Sequence, residues 1–295
     1  MESVKCNLCG SNEYKTVLKA KDYRFLTDEE DFQIVRCKGC GLTFLNPRPN
    51  KNEISKYYPE GIEWEEKGKK EVQKEKYSII KNPSKKGKIL DIGCAKGEFL
   101  SFLKNKGYDV YGVEPSDDAK IAEKKGIKVK RKLSNFKKDF FDIITLWQVI
   151  EHLHNPSEEL RKINALLKKE GYVVVSTLNI ESPEAKFFNK IWFHLDVPRH
   201  LYFFSPKTLV MLLEKNGFKA VKIKYFSKQH SNAGIIFSLK RALISKRPKE
   251  INEKQSSRQI NKMSYSICSI FVYPLSLLLA VLKKGPIITI IAKKL

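Results

Sequence analysis

The sequence predicts an α/β fold in which a doubly wound parallel sheet follows a small metal-binding module. From Gly87 onward, short apolar runs alternate with amphipathic stretches that end in glycine, a pattern typical of βαβ units. Before that point, four of the six cysteines form two Cys-x-x-Cys-Gly sequences. We therefore expect three parts: a zinc-binding module over residues 1–48, a connecting segment over 49–86 and a sheet domain over 87–295.

The N-terminal module is predicted from the spacing of its cysteines. Two residues between cysteines let one turn present two thiolates to a tetrahedral ion, and the glycine that follows permits a tight turn. Two such turns complete a closed four-sulfur site, so we expect structural zinc in a small, zinc-ribbon-like module. A dithiol redox pair or chance spacing is the alternative interpretation. The four candidate ligands are Cys6, Cys9, Cys37 and Cys40.

The elements of the sheet domain follow one another at regular intervals. The predicted strands, in order, are KILDIG, DVYGVE, IKVKR, FDIITLW, GYVVVSTL, AVKIKYF and IITIIAKK. The predicted helices between them are GEFLSFLKNKG, SDDAKIAEKKG, NPSEELRKINALLKKEG and SPKTLVMLLEKNGF. Serine or asparagine begins three of these helices and glycine marks the end of all four, as helix termini favour. Two stretches do not fit the alternation: an aromatic connection over 181–204, and a basic and apolar insertion at about 227–283.

The charge of the chain favours anionic partners in general. It carries 56 basic and 33 acidic residues, a net charge of +23. Only nine of the basic residues are arginine, and the lysines are spread over nearly every segment, so a nucleic-acid partner is not favoured. The N-terminus lacks the basic start and apolar core of a signal peptide, so we expect a cytoplasmic protein with reduced thiols.

A ligand site is predicted where the first strand of the sheet meets the first helix. Residues 91–97 read DIGCAKG, and glycines there let a ligand lie against the backbone beside the free amides of a helix N-terminus. The second strand ends in Glu114, 21 residues after Gly93, where a carboxylate can bind both hydroxyls of a ribose. Ala95 and Glu98 stand where a dinucleotide fingerprint requires glycine, which disfavours NAD and FAD.

These residues resemble the class I S-adenosylmethionine-dependent methyltransferases. The resemblance rests on DIGCAKGEFL, GVEPS, FDIITLWQVIEHLHNP and GYVVVSTLN. It is widest with members that carry a two-Cys-x-x-Cys zinc module and a sequence similar to HLDVPRHLYFFSPKTL. It implies a Rossmann-like sheet of seven strands whose last pair is antiparallel, with S-adenosylmethionine as the cofactor. Ala95 is a departure, because many relatives have a second glycine there.

The resemblance also implies roles for individual residues. The glycine loop would lie along the methionine part of the cofactor, Glu114 would bind the ribose, and Pro115 would flank the adenine. Leu133 would lie near the adenine amine, while Trp147 and Gln148 would line the methionine end beside the reactive methyl group. The loop residues of this set are Asp91, Gly93, Cys94, Ala95 and Gly97.

Three polar residues are candidates for catalysis. His152 directly follows FDIITLW at the carboxyl edge of the sheet, where it can remove a proton from a methyl acceptor. The alternative is that His152 only positions the cofactor. Arg199 and His200 lie in the aromatic connection, where related enzymes form the acceptor pocket, and a polar pair among aromatic rings must be bonded or functional. Most of the aromatic residues there are expected to be core.

The sequence thus predicts a methyltransferase that acts on a small molecule, with a sugar or a cell-surface glycan precursor as the preferred acceptor class. The acceptor class rests on association with the zinc-module relatives alone. An RNA methyltransferase is a second interpretation, since the basic charge suits a polyanionic acceptor. A non-catalytic regulator that binds the cofactor is a third.

Met263–Leu282 is uncharged over twenty residues, the length of a membrane-spanning helix. A span would leave the last strand on the far side of the bilayer, away from its sheet. Two hypotheses remain: a helix packed on the domain, or reversible association with the inner face of an anionic membrane. Residues 219–262 carry 12 basic and two acidic side chains, a charge that suits the second hypothesis.

Overall fold

The computed structural model describes residues 1–25, 30–58, 70–80, 87–244 and 262–295. Parts of the predicted connecting segment and of the predicted insertion lie outside these ranges. The chain forms two compact units. The unit that we call the sheet unit comprises residues 63–177, 209–223 and 289–295. The unit that we call the cysteine unit comprises residues 1–62, 178–208 and 224–288.

Strands and helices are numbered in chain order. The described strands are β1 (Tyr14–Ala20), β2 (Phe32–Cys37), β3 (Thr43–Leu45), β4 (Lys88–Ile92), β5 (Asp109–Val113), β6 (Lys128–Lys130), β7 (Phe141–Trp147), β8 (Leu167–Leu178), β9 (Tyr202–Phe203), β10 (Phe218–Lys224) and β11 (Ile287–Lys294). The described helices are α1 (Lys70–Ile80), α2 (Glu98–Lys104), α3 (Asp118–Lys124), α4 (Pro156–Leu166), α5 (Pro183–Phe188), α6 (Pro206–Lys215), α7 (Ser231–Ile244) and α8 (Lys262–Val281).

The sheet unit contains the predicted seven-stranded sheet, in the order β10-β11-β8-β7-β4-β5-β6. The pairs β4–β5, β4–β7, β5–β6 and β7–β8 are parallel. Ile92 at the end of β4 lies opposite Val113 of β5 and Leu146 of β7. These strands are buried and rich in isoleucine, leucine and valine, as parallel strands covered on both faces require. The α/β fold class is confirmed.

Helix α4 begins where the sequence predicts. The side-chain oxygen of Asn155 accepts a hydrogen bond of 3.2 Å from the backbone N–H of Glu158. Pro156 occupies the first turn, where a missing N–H carries no penalty, and two glutamates complement the helix dipole there. The end of α4 differs from the prediction. The predicted helix ran to Gly171, whereas the helix ends at Leu166 and strand β8 begins at once.

The early start of β8 has a tertiary cause. Leu167 pairs with Phe141 of β7, ahead of a register shift in the ladder. Lys168 then donates a hydrogen bond of 2.8 Å to the carboxylate of Asp142. Glu170 adopts a positive φ of 65°, which no helix can contain. Pairing with β7 therefore overrides the helix propensity of LKKE.

The cysteine unit contains a four-stranded sheet in the order β1-β2-β3-β9. The predicted boundary at residue 48 does not delimit a compact unit, because β9 completes the sheet of the N-terminal module by pairing Tyr202 with Phe44. Arg48 joins the same segments. Its Nη1 donates a hydrogen bond of 3.0 Å to the Tyr202 hydroxyl, and its Nε donates one of 2.8 Å to Glu2.

The last part of the cysteine unit is helical. Helices α7 and α8 pack against each other, and Pro274 lies inside α8. Within the described ranges, none of the helices combines the length and the apolar character that crossing a membrane demands. The final strand, β11, has the bounds predicted from IITIIAKK and lies between β8 and β10 in the sheet.

Candidate functional site

The glycine loop after β4 forms the centre of the predicted cofactor site. Gly93 and Gly97 adopt φ values of 71° and 75°, in the left-handed region that other residues disfavour. The N–H of Gly93 donates a hydrogen bond of 2.8 Å to the carbonyl of Val113, which ties the loop to the end of β5. A Cβ at Gly97 would lie 2.5 Å from Cδ1 of Ile127, so the loop backbone lies close to its neighbours.

Glu114 lies directly beyond β5 and is 8% exposed. Its Oε2 accepts a hydrogen bond of 3.0 Å from the N–H of Ala95, and its Oε1 accepts one of 2.8 Å from the N–H of Ser116. These two bonds fix the carboxylate beside the glycine loop. A carboxylate has about four acceptor positions, so both oxygens retain the capacity to bind ligand hydroxyls.

The other predicted cofactor residues occupy the carboxyl ends of the strands as well. Asp91 is buried at the end of β4, and the hydroxyl of Thr145 in β7 donates a hydrogen bond of 2.5 Å to it. Gln148 follows β7 with a φ of 56°, and its Nε2 donates to Ser176 Oγ at 3.3 Å. Cys94 and Leu133 are buried, whereas Pro115 is exposed.

Trp147 ends β7 beside Phe99 and Lys76, and Lys76 is a residue that the sequence did not reveal. The ring of Trp147 stands edge-on to that of Phe99, with centroids 5.7 Å apart. The ammonium of Lys76, from α1, lies 5.4 Å from the Trp147 ring centroid and 5.6 Å from that of Phe99. Gln73 of the same helix is 5% exposed. Lys76 belongs to a run of lysine and glutamate that resembles a solvated helix face, so the sequence offers no local signal for it.

Two polar atoms of the sheet unit are buried without a hydrogen-bond partner among the described residues: Nε1 of Trp147, and Oε1 of Gln73, which lies one turn before Lys76 on α1. Buried polar atoms are nearly always bonded in native proteins, so an unpartnered donor and acceptor on neighbouring elements indicate a ligand position. The donor, the acceptor and the Lys76 ammonium together match the chemistry of an amino-acid group, which carries a carboxylate and an ammonium.

Glu151 and His152 lie in a short 3-10 turn, Ile150–His152, that two residues separate from the end of β7. Glu151 is fully buried and His152 is partly exposed. The backbone N–H of His152 donates a hydrogen bond of 3.0 Å to the carbonyl of Val149, which fixes the turn. The turn therefore places His152 after the carboxyl end of β7, as predicted from its position in the sequence.

The four cysteines of the predicted metal site come together in the cysteine unit. Their sulfur atoms all lie within 4.8 Å of one another. The Sγ atoms of Cys6 and Cys40 are 3.4 Å apart, as are those of Cys9 and Cys37. This separation is much longer than the disulfide bond of about 2.0 Å. A tetrahedral ion with metal–sulfur bonds of about 2.3 Å places its sulfurs roughly 3.8 Å apart, so the cluster fits a zinc ion.

The surroundings of these cysteines act on their acidity in opposite directions. Burial raises the pKa of the Cys6 thiol, and burial raises the pKa of Cys40 to about 11. Burial also acts to raise the pKa of Cys37, but hydrogen bonds from backbone N–H groups and from Cys9 outweigh it and hold the pKa at about 7. The amides of a Cys-x-x-Cys turn thus favour thiolate, the form that binds metal.

Arg199, a predicted catalytic candidate, lies in a buried ion network of the cysteine unit. It is fully buried, and its Nη1 and Nη2 donate hydrogen bonds of 2.8 and 2.6 Å to the two oxygens of Asp22. Its Nε and Nη2 donate to Asp196 at 3.1 and 2.8 Å. Nη1 also donates to the carbonyl of Tyr57 at 3.0 Å. All five N–H groups of the guanidinium are therefore used within the fold.

The carboxylate of Asp196 is held by two arginines. Arg199 binds Oδ1 of Asp196, and Arg24 donates a hydrogen bond of 2.9 Å to the other carboxylate oxygen, Oδ2. Burial would raise the pKa of Asp196, but the charges of Arg24 and Arg199 hold that pKa well below its usual range. Arg199 thus has a structural role in this network, in contrast to its predicted role in catalysis.

His200 and its neighbours form a second buried polar group in the cysteine unit. Nδ1 of His200 lies 2.9 Å from the carbonyl oxygen of His194. Burial lowers the pKa of His194 to about 4, so that imidazole is neutral at physiological pH. Glu184, which the sequence analysis did not select, accepts a hydrogen bond of 2.7 Å from the indole of Trp192. Burial raises the pKa of Glu184 to about 8, despite that bond.

A family profile and several known proteins match this chain. The family profile described as a methyltransferase domain matches residues 64–223, more than half of the chain. A curated relative from Bordetella avium (strain 197N), named ubiquinone biosynthesis O-methyltransferase, is 30% identical over 112 residues, which is 34% of this chain and 46% of the relative. A protein of the same name from Pelagibacter ubique (strain HTCC1062) is 26% identical over 208 residues, 59% of this chain and 86% of the relative.

The matches to the first three curated relatives cover only part of those proteins, whereas the match to a solved structure covers most of it. The chain spans less than half the length of the first three curated relatives, at 46%, 40% and 46%. Among solved structures, a SAM-dependent methyltransferase from Archaeoglobus fulgidus is similar with a TM-score of 0.51 and 24% identity, over 76% of this chain and 94% of that one. This likeness supports the fold of the sheet unit.

The buried network predicts that Arg199→Ala strongly destabilises the cysteine unit. Removal of Arg199 leaves Asp22 buried without its counter-charge and leaves Asp196 with Arg24 alone, so we expect a loss of about 3 to 5 kcal/mol in the free energy of unfolding. The control is Arg36→Ala, which removes an exposed ion pair with Glu181 and is expected to cost at most about 1 kcal/mol. Equilibrium denaturation measures both, and equal midpoints for the two variants would contradict a structural role.

Proposed function

The chain belongs to the methyltransferase domain family, and we propose that it transfers a methyl group from S-adenosylmethionine to a small-molecule acceptor. The observation that carries this proposal is the position of Glu114. Its carboxylate is fixed by the N–H groups of Ala95 and Ser116, next to the glycine loop. A rigid acceptor of this kind at the end of the second strand suits the two hydroxyls of a ribose.

The methionine end of the cofactor is assigned to the residues around Trp147. The ammonium of Lys76 lies over the rings of Phe99 and Trp147, and its positive charge there would attract the carboxylate of the cofactor. The buried oxygen of Gln73 would accept a hydrogen bond from the amino group, and the indole N–H of Trp147 is a further donor. When bound, S-adenosylmethionine supplies a methyl group that its sulfonium charge activates.

His152 is the proposed general base. It follows β7 at the edge of the sheet that carries the glycine loop, and a base there can take the proton of an acceptor hydroxyl as the methyl group arrives. The competing hypothesis gives His152 a purely positioning role in the turn after β7. The two hypotheses differ in whether loss of the imidazole affects turnover alone or cofactor affinity as well.

The proposed acceptor class is a sugar or a cell-surface glycan precursor. The names of the curated relatives support a hydroxyl oxygen as the receiving atom. The first three relatives match only 34%, 31% and 31% of this chain, so the support concerns the reaction more than the acceptor. The acceptor class rests on the resemblance to methyltransferases with an N-terminal zinc module. Transfer of label from methyl-labelled cofactor to fractionated glycan, lipid, RNA and protein pools tests it.

We also propose that the cysteine cluster binds one structural zinc ion. Four sulfurs within 4.8 Å of one another leave no open coordination position for water, which excludes a catalytic zinc of the usual type. The ion would tie the turn that holds Cys6 and Cys9 to the turn that holds Cys37 and Cys40. The cysteines are free thiols, spaced for a shared metal ion and too far apart for disulfide bonds. Free thiols of this kind suit a reducing compartment, so we propose a cytoplasmic location.

The role of Glu114 predicts a large loss of cofactor affinity in Glu114→Ala. The variant removes a charged acceptor of two hydroxyl bonds, worth about 2 to 3 kcal/mol, and so weakens binding roughly 30- to 150-fold. Glu114→Gln keeps the shape and removes the charge, and we expect an intermediate loss. The control is Glu123→Ala, on the exposed side of α3. Calorimetric titration with S-adenosylhomocysteine measures all three, and wild-type affinity in both Glu114 variants would place the ribose elsewhere.

Metal analysis tests the zinc proposal. Protein purified without a metal-binding tag should contain about one equivalent of zinc, and Cys40→Ser should lose most of it because three thiolates leave the site open. Cys268→Ser, which changes an exposed cysteine in α8, is the matched control and should keep the metal. Two disulfides and no metal in the wild-type protein would overturn the proposal.

If His152 is the general base, its loss should lower turnover and leave the affinity for the cofactor unchanged. We expect His152→Ala to reduce methyl transfer to the labelled pool by about 10²- to 10⁴-fold, the usual contribution of a general base, with cofactor affinity nearly unchanged. His154→Ala, two residues further along the same loop, is the control and should retain activity. A parallel fall in turnover and cofactor affinity would support the positioning hypothesis instead.

A further inference from the structure

Helix α8 has its polarity reversed relative to an ordinary surface helix. Its described side chains include many large apolar groups that face solvent. Phe271 is 77% exposed, Val281 is 78% exposed, Ile270 is 69% exposed and Leu278 is 54% exposed. Helices of water-soluble proteins place such residues against the core and polar residues outside.

The inward side of the same helix carries serine. Ser276 is only 1% exposed, and the hydroxyl oxygens of Ser269 and Ser276 are buried with no hydrogen-bond partner in the described parts of the chain. Val272 and Leu279 share this inner side and are partly buried. Serines turned inward with large apolar residues turned outward are the pattern of a helix that packs against protein on one side and lipid on the other. In water this pattern is unfavourable, because it exposes apolar surface that folding normally buries.

The exposed apolar surface continues beyond one turn. We define the apolar face of α8 by exposed apolar residues on its outer side and by the residue that follows the helix: Ile270, Phe271, Leu275, Leu278, Val281 and Leu282. Helix α7, which packs against α8, adds Leu239 and Leu243, which are 45% and 69% exposed. Monomeric soluble proteins rarely expose a contiguous apolar surface of this extent unless it has a binding role.

The charges around the apolar face identify its partner. Lys283 and Lys284 follow α8 directly and are exposed, and Lys228 is exposed before α7. The described residues 215–244 and 262–295 contain no aspartate or glutamate. A second copy of the chain would offer the same positive surroundings with no acidic complement. An anionic bilayer offers both an apolar interior and negative headgroups.

We propose that the apolar face of α8 inserts into the surface of a bilayer that contains anionic lipid, while the lysines at its end contact the headgroups. This proposal concerns a binding surface and does not depend on the reaction assigned to the sheet unit. Apolar insertion and basic charge provide the two signals that stable attachment to a membrane surface requires.

Vesicle flotation of the full-length chain tests the proposal. We expect the wild-type protein to float with phosphatidylcholine–phosphatidylglycerol vesicles and to float more weakly with phosphatidylcholine alone. High salt should weaken flotation with the anionic vesicles, because it screens the charge of the lysines. Phe271→Glu should lower the partition coefficient at least about tenfold, because it removes an inserted aromatic ring and adds a repelled charge. Val281→Glu is a second variant at an equally exposed position and should act in the same way.

The matched control is Val221→Glu on β10, an equally apolar-to-acidic change at a residue that is 59% exposed. It should bind vesicles as the wild type does, and thermal denaturation should show that all three variants stay folded. A wild-type protein that never floats, or flotation unaffected by both α8 variants, would overturn the proposal. So would a wild-type dimer in sedimentation that the α8 variants convert to a monomer, since the face would then be a contact between copies.

Discussion

The parallel pairing of β4 with β5 and β7 is the constraint on which the candidate active site depends. Asp91 lies opposite Gly112 of β5 and Thr145 of β7, so the three strands end at the same level of the sheet. The segments that follow them carry the glycine loop, Glu114 and the turn with His152. Side chains more than fifty residues apart therefore reach bonding distance, as Asp91 and Thr145 do at 2.5 Å. The ladder sets where each of these segments begins, and hydrogen bonds within the segments then fix Glu114 and the turn that holds His152.

Much of this sheet could be predicted because its signals are local. The run FDIITLW is rich in apolar and β-branched residues, and β7 has the same bounds, as β11 has those of IITIIAKK. The glycine loop and Glu114 are close in the chain and follow consecutive strands, so their meeting was also predictable. The end of α4 was not, because LKKE favours a helix in isolation and only its pairing with β7 makes it a strand. Propensity is a weak guide where a ladder is available.

Long-range contacts account for the residues that the sequence did not reveal. Arg199 was a candidate for catalysis because a buried charge among aromatic rings needs a reason, and its reason is Asp22, 177 residues earlier. Lys76 gave no signal in the sequence, because it lies in a run of lysine and glutamate typical of a solvated helix, and only the fold places it over the Trp147 ring. For α8 the uncharged length was visible in the sequence, but the direction in which its serines and its aromatic ring point depends on α7, which packs against it.

The pairing of β3 with β9 also bears on the order in which the chain leaves the ribosome. The N-terminal hairpins and all four cysteines of the cluster are synthesised before β9, so these strands are present while their last partner is still missing. Tyr202, the partner of Phe44, is made roughly 160 residues later. At about 5 to 20 residues per second, translation takes roughly 8 to 30 s to supply it. During that interval β3 is an open strand edge, within reach of a chaperone or of a strand from another nascent chain.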